Sequence, residues 1–107
     1  MADASRSSGV LTASKVISDT PCRLKSVHIA CFAAGADVYT LKIFDSKDST
    51  LTGNTEIYRA VFNGSMSADN IEADMHGVLA REGLFAQLTA PVSPDASSRF
   101  AFSVEFN

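Results

Sequence analysis

Any acid–base, nucleophilic or metal-binding chemistry in this chain has to start from two histidines, His28 and His76, and two cysteines, Cys22 and Cys31. In an extended Asp74-Met75-His76 the carboxylate and the imidazole share one face, yet a divalent ion held there needs a third ligand from elsewhere. A loop histidine is the simpler reading. His28 falls in the middle of a strand-like run, where a half-buried imidazole donating to a neighbour is expected rather than catalysis. A thiolate–imidazole pair is disfavoured by geometry. On a continuous strand Cys31 faces away from His28, and Cys22 is six positions off, roughly 20 Å. Nor can the two cysteines bridge each other, because nine strand steps separate them by roughly 30 Å and a disulfide spans about 5.5 Å. Both read as free, buried thiols of a protein assembled in a reducing compartment.

The remaining candidates are weaker. Asp45 and Asp48 invite a calcium reading, but the spacing from Asp45 to Thr52 lacks the alternating oxygen ligands and the closing Glu of a calcium loop, so a solvated turn is expected. Gly9, Gly35, Gly53, Gly64, Gly77 and Gly83 are dispersed turn positions and do not form a phosphate cradle. With seven Phe, two Tyr and no Trp, the aromatic residues suffice for a small core. They leave only Tyr39 and Tyr58 as sugar-stacking platforms. Taken together, these residues predict no enzyme, no cofactor and no metal.

The elements that would position these groups are strands. In Arg99-Phe100-Ala101-Phe102-Ser103-Val104-Glu105-Phe106, a period of two sets Phe100, Phe102, Val104 and Phe106 on one face, the pattern of a half-buried strand. Around Cys22 to Ala33, strict alternation groups Cys22, Leu24, Ser26, His28, Ala30 and Phe32 against Arg23, Lys25, Val27, Ile29 and Cys31. Its second half is apolar on both sides, as a central strand would be. In Asp37 to Asp45, Tyr39, Leu41 and Ile43 oppose Val38, Thr40, Lys42 and Phe44. That strand is expected to return through a long polar turn into Thr55 to Asn63 as an antiparallel hairpin. Residues 10–19 carry a moderate strand signal ended by Thr20-Pro21. Turns are expected at Ala34-Gly35-Ala36 and Asn63-Gly64. Ile71 to Met75 fits an edge strand or one helical turn. Gly83 to Thr89 reads as a strand, and Ala90 to Ala96 as the loop before the last one. The result is an all-β chain of seven or eight short strands, an antiparallel β-sandwich of jelly-roll type.

At 107 residues the chain is one domain. Residues 9–107 form the expected sandwich, and residues 1–8, small and polar, a flexible N-terminal arm. That arm has no apolar stretch resembling a signal peptide, and no run approaches the roughly 18 apolar residues of a membrane span. Nine basic against twelve acidic residues give a net charge of −3 with both signs scattered. Nucleic acid is therefore not an expected partner, since phosphate backbones require clustered Lys and Arg.

The order of features resembles a known group. A polar arm leads to Ile17-Ser18-Asp19-Thr20-Pro21, then to Arg23-Leu24-Lys25-Ser26-Val27-His28-Ile29 and Leu41-Lys42-Ile43-Phe44-Asp45. Arg81-Glu82-Gly83-Leu84-Phe85-Ala86-Gln87-Leu88 and a terminal strand follow. This is similar to the small β-sandwich virion proteins of tailed bacteriophages, above all capsid decoration (cement) proteins and related head or tail appendages. The resemblance implies a structural protein on the capsid surface, made in the host cytoplasm, bound to the major capsid protein and assembled as a homo-oligomer, often a trimer. It also implies an arm that crosses onto a neighbouring subunit, which makes Asp3, Ser5, Arg6 and Ser7 the candidate partner-binding residues. The alternative it leaves open is a head-fibre or tail module that binds host-surface glycan, which requires exposed Tyr or Phe beside loop Asp and Asn.

Overall fold

A computed structural model describes residues 5–31, 38–50, 53–63, 70–89 and 100–107. They contain eight strands and no helix: β1 (Arg6–Ser7), β2 (Lys15–Ser18), β3 (Cys22–Cys31), β4 (Val38–Asp45), β5 (Thr55–Asn63), β6 (Asn70–Ala80), β7 (Leu84–Thr89) and β8 (Phe100–Phe106). Sheet A has the order β1-β8-β3-β6 and sheet B the order β2-β7-β4-β5. Every pairing is antiparallel. The pairs β4–β5, β3–β6, β2–β7 and β1–β8 are nested one inside the next, as if a long hairpin had been rolled up. That is the connectivity of a jelly roll. The turns expected around residues 34–36 and at Gly64, and the loop from 90 to 96, lie outside the described residues.

The two inner faces make one core. Leu24, Val27 and Ile29 of β3 and Phe102, Val104 and Phe106 of β8 meet Tyr39, Leu41 and Ile43 of β4 and Leu84 and Ala86 of β7, all buried. For β4 and for Phe102, Val104 and Phe106 the period-of-two reading holds; the side chain of Phe100 lies outside the described residues. For β3 it needs correction. Pairing with both neighbours shifts between Leu24 and Ser26; against β8 Lys25 is an extra residue, and the parity of β3 reverses there. Cys22 and Leu24 point inward before this bulge and Val27 and Ile29 after it, while Arg23 and His28 are exposed. What looked like a strand apolar on both sides is one inward stripe with a step in it.

The first strands also differ from expectation. Residues 10–18 are not one strand, because the chain changes sheets within them. Leu11 forms a two-way backbone bridge with Phe102 of sheet A (2.7 and 2.9 Å), and Lys15–Ser18 pairs with β7 of sheet B. At the crossing, Ser14 Oγ accepts the Leu88 N–H at 2.8 Å. The segment expected as an arm is, from Arg6 onward, laid along β8. Arg6 pairs with Phe106 and Ser7 with Glu105. Ser8 then binds Val104 twice, through its N–H (2.8 Å to the carbonyl) and through Oγ, which accepts the Val104 N–H at 2.8 Å. A short polar segment can join a sheet this way because an edge position asks only for backbone hydrogen bonds.

β6 is a long edge strand rather than a helical turn. It stays extended as far as Met75, with Ile71 and Met75 packed on the core, and then passes through His76 (φ 55°) and Gly77 (φ 78°). Those two left-handed residues, together with Met75, sit opposite Lys25 and take up the mismatch with β3. Just past the C-terminal end of β6, Gly83 brings the β6–β7 turn against β2. A Cβ placed there would collide with the Ser18 carbonyl oxygen, so only glycine fits.

Candidate functional surface

The outward face of sheet A gathers polar groups from three strands, and the bulge at Lys25 is what brings them into line. Beyond it, Ser26 stands opposite Glu105 on one side and Asp74 on the other, and His28 stands between Ser103 and Glu72. Ser26 Oγ donates to Glu105 Oε1 at 3.0 Å and lies 3.0 Å from His28 Nε2. On the far side of the ring, His28 Nδ1 lies 3.2 Å from Glu72 Oε1. The result is a continuous chain, Glu105–Ser26–His28–Glu72, running across β8, β3 and β6. His28 is 47% and Glu72 72% exposed, so the chain is open to solvent along its length.

Two hollows flank this chain, with His28 and Glu72 on the wall of both. One, of about 230 Å³, is lined mainly by apolar groups including Val10, Ala30, Ile71 and Ala101. The other is polar, with Lys25, Ser26, Asp74, His76 and Glu105 around it. A third, shallow depression joins the same surface to the N-terminal edge, where Ser5, Arg6 and Ser7 face His28, Ser103 and Glu105. Three of the four candidate partner-binding residues therefore border the His28 surface, and all three are exposed. Asp3 lies outside the described residues.

The other candidate groups serve the fold. Cys22 is buried on the inner face, and its burial pushes the thiol above its ordinary pKa against a smaller opposing effect of a Ser18 hydrogen bond. It is a poor nucleophile there, with His28 on the opposite face. The side chain of Cys31 lies outside the described residues. Asp74 Oδ1 accepts the backbone N–H of His76 at 2.9 Å, which holds the left-handed residue in place. Among the described residues, no three His, Cys, Asp or Glu side chains are arranged to hold a metal ion. Asp45 accepts the N–H groups of Arg81 (3.0 Å) and Glu82 (2.8 Å), tying the end of β4 to the β6–β7 turn. Partial burial raises its pKa, but the N–H donors of Glu82, Arg81 and Gly83 and the Arg81 guanidinium outweigh it and hold the carboxyl below the usual value. Asp48 accepts the Thr50 N–H at 2.9 Å, an ordinary turn contact.

Aromatic side chains are not on display. Among the described residues, Tyr39, Phe85, Phe102 and Phe106 are buried and Phe44 and Tyr58 half-buried. The exposed large apolar side chains are Val10, Val16, Val61, Val78 and Leu79. No helix in the described residues is long and apolar enough to cross a membrane.

Ser26 and His28 could be placed on one face from their spacing alone. Glu72 and Glu105 could not, because their approach depends on two strand registers set far away in sequence. Comparison with protein families, with curated proteins and with solved structures finds no match. Function has to be argued from the fold and this surface.

Proposed function

We propose that the protein is a virion structural protein of a tailed bacteriophage, a decoration or cement module that seats on the outer surface of the capsid and stabilises the shell. It is made in the host cytoplasm, binds the major capsid protein and acts as a homotrimer. The observation that carries this reading is the N-terminal edge of sheet A. There β1 is an edge strand of a jelly roll, paired with β8 on one side, with Ser5, Arg6 and Ser7 exposed beside the His28 surface. The outer side of such an edge can take up a strand of a neighbouring subunit, and a lattice multiplies many such weak contacts. Leu79, opposite Arg23 on the outward side of the edge strand β6 and 49% exposed, offers apolar area to the same kind of contact. The resemblance in feature order to capsid decoration proteins points the same way.

The test is a mass measurement of the purified chain alone and after incubation with tailed-phage capsids, for the full chain and for one lacking residues 1–8, which removes β1. Trimers that attach in a fixed ratio, with weaker attachment of the shortened chain and lower heat resistance of its particles, are expected. A monomer that leaves shells bare overturns the reading. So does specific glycan-array binding, which would favour the appendage module instead.

A further inference from the structure

Nucleophile, base and carboxylate stand in working order on sheet A: Ser26 Oγ is 3.0 Å from His28 Nε2, and His28 Nδ1 is 3.2 Å from Glu72 Oε1. We propose that Ser26 is a reactive serine, with His28 as its general base and Glu72 as a positioning carboxylate, and that it hydrolyses acyl esters lacking negative charge. This does not rest on the capsid reading.

The bulge at Lys25 sets the site. It turns Ser26 and His28, two residues apart on one strand, outward together, and the register of β6 delivers Glu72 to the far nitrogen. A carboxylate at Nδ1 fixes the proton on that nitrogen and leaves the Nε2 lone pair toward Ser26 Oγ, which becomes a donor to it once the hydroxyl turns away from Glu105. Ser26 Oγ then attacks the ester carbonyl carbon and forms the new C–O bond, while its proton passes to Nε2. The imidazolium, steadied by Glu72, returns that proton to the departing alkoxide, which leaves as the alcohol. Water repeats the sequence, freeing the carboxylic acid and restoring the serine hydroxyl. Lys25 lines the polar hollow beside Ser26 and is the cation of that hollow.

The surroundings set the substrate class. Glu72, Asp74 and Glu105 repel anionic esters, and the apolar hollow beyond the imidazole, lined by Val10, Ala30, Ile71 and Ala101, gives an uncharged acyl group an apolar seat. Glu105 acts as a brake. As an acceptor 3.0 Å from Ser26 Oγ, it competes with His28 for the one hydroxyl proton.

The experiment exposes the full chain to a fluorophosphonate probe, maps the adduct by peptide mass, and follows p-nitrophenyl acetate hydrolysis in parallel. Ser26 should be labelled about tenfold or more faster than Ser103 or Ser7 on the same surface. His28→Gln should remove that advantage. Glu72→Gln should slow labelling with an unchanged unfolding midpoint, and Glu72→Asp should restore part of the rate. Glu105→Gln should accelerate it, a gain that a merely structural role cannot produce. Labelling of Ser26 no faster than of Ser103, or equal labelling in His28→Gln, overturns the proposal.

Discussion

The two outward faces of this jelly roll are built on opposite terms. Sheet A turns Ser26, His28, Ser103, Glu72, Asp74 and Glu105 to solvent. On sheet B, Val16, Phe85 and Phe44 stand in register on three adjacent strands, and Phe85 is only 7% exposed. Beside that apolar row lie Lys42 and Arg59, directly paired across β4 and β5. Arg59 makes a two-pronged contact with Glu56 at 2.7 and 2.9 Å. Buried apolar area stabilises at roughly 25 cal/mol per Å², whereas exposed hydrogen bonds exchange for water at little net gain. Stability therefore extends outward through sheet B, and the polar outer face of sheet A adds little to it.

The sharpest way to break that contrast is Phe85→Ala. It should destabilise the fold by about 3–5 kcal/mol, as much as truncating a core aromatic, measured by urea unfolding. A loss similar to that of a surface substitution would mean that the sheet B row is not a second packed layer. Next comes the seam between the sheets. Gly83→Ala forces a Cβ onto the Ser18 carbonyl and should cost about 2 kcal/mol or more, with the damage seen first as faster amide exchange in β2.

Asp45→Asn, at the same seam, should cost about 1–2 kcal/mol at neutral pH by weakening charge-assisted hydrogen bonds to Arg81 and Glu82. Because the folded carboxyl sits below its unfolded value, its contribution is complete above about pH 4 and disappears as pH falls through the folded pKa. Stability curves of wild type and Asp45→Asn should run apart at neutral pH and converge in acid. On sheet A, His28→Gln should change stability by less than about 0.5 kcal/mol, which confines its effect to the reactivity of Ser26. The smallest effect belongs to Arg59→Ala. Glu56 has its carboxyl pKa lowered chiefly by the Arg59 hydrogen bond, but Arg59 is exposed and Glu56 only half-buried, so solvent screens the pair and a thermal scan should show no more than a marginal shift.

How much of this was readable in the sequence depends on whether a feature is local. The inward stripes of β4 and β8 follow directly from period-two alternation, as do the sandwich class and the β4–β5 hairpin. β3 was misassigned because a bulge leaves no mark in a hydrophobic pattern: Leu24-Lys25-Ser26-Val27 looks continuous whether or not the parity steps. Residues 10–19 look like one strand in sequence because alternation persists across the point where the chain leaves one sheet for the other. β6 was ambiguous because an edge strand with one solvated face contributes few apolar residues, here Ile71 and Met75. Within the surface itself, His28 and its neighbour Ser26 were visible. The two carboxylates that complete the chain come from β6 and β8, and only the fold reveals them.

The nested pairings also impose a calendar on assembly. β4 and β5 meet across a short connection, while β1 finds β8 only after nearly the whole polypeptide has been arranged between them, and the entropy of closing a loop grows with its length. The N-terminal edge should close last and open first. Native-state amide exchange would test that order: Arg6 and Ser8 should lose protection well before Leu41 or Ile43, and equal protection throughout would mean that the roll opens as one unit.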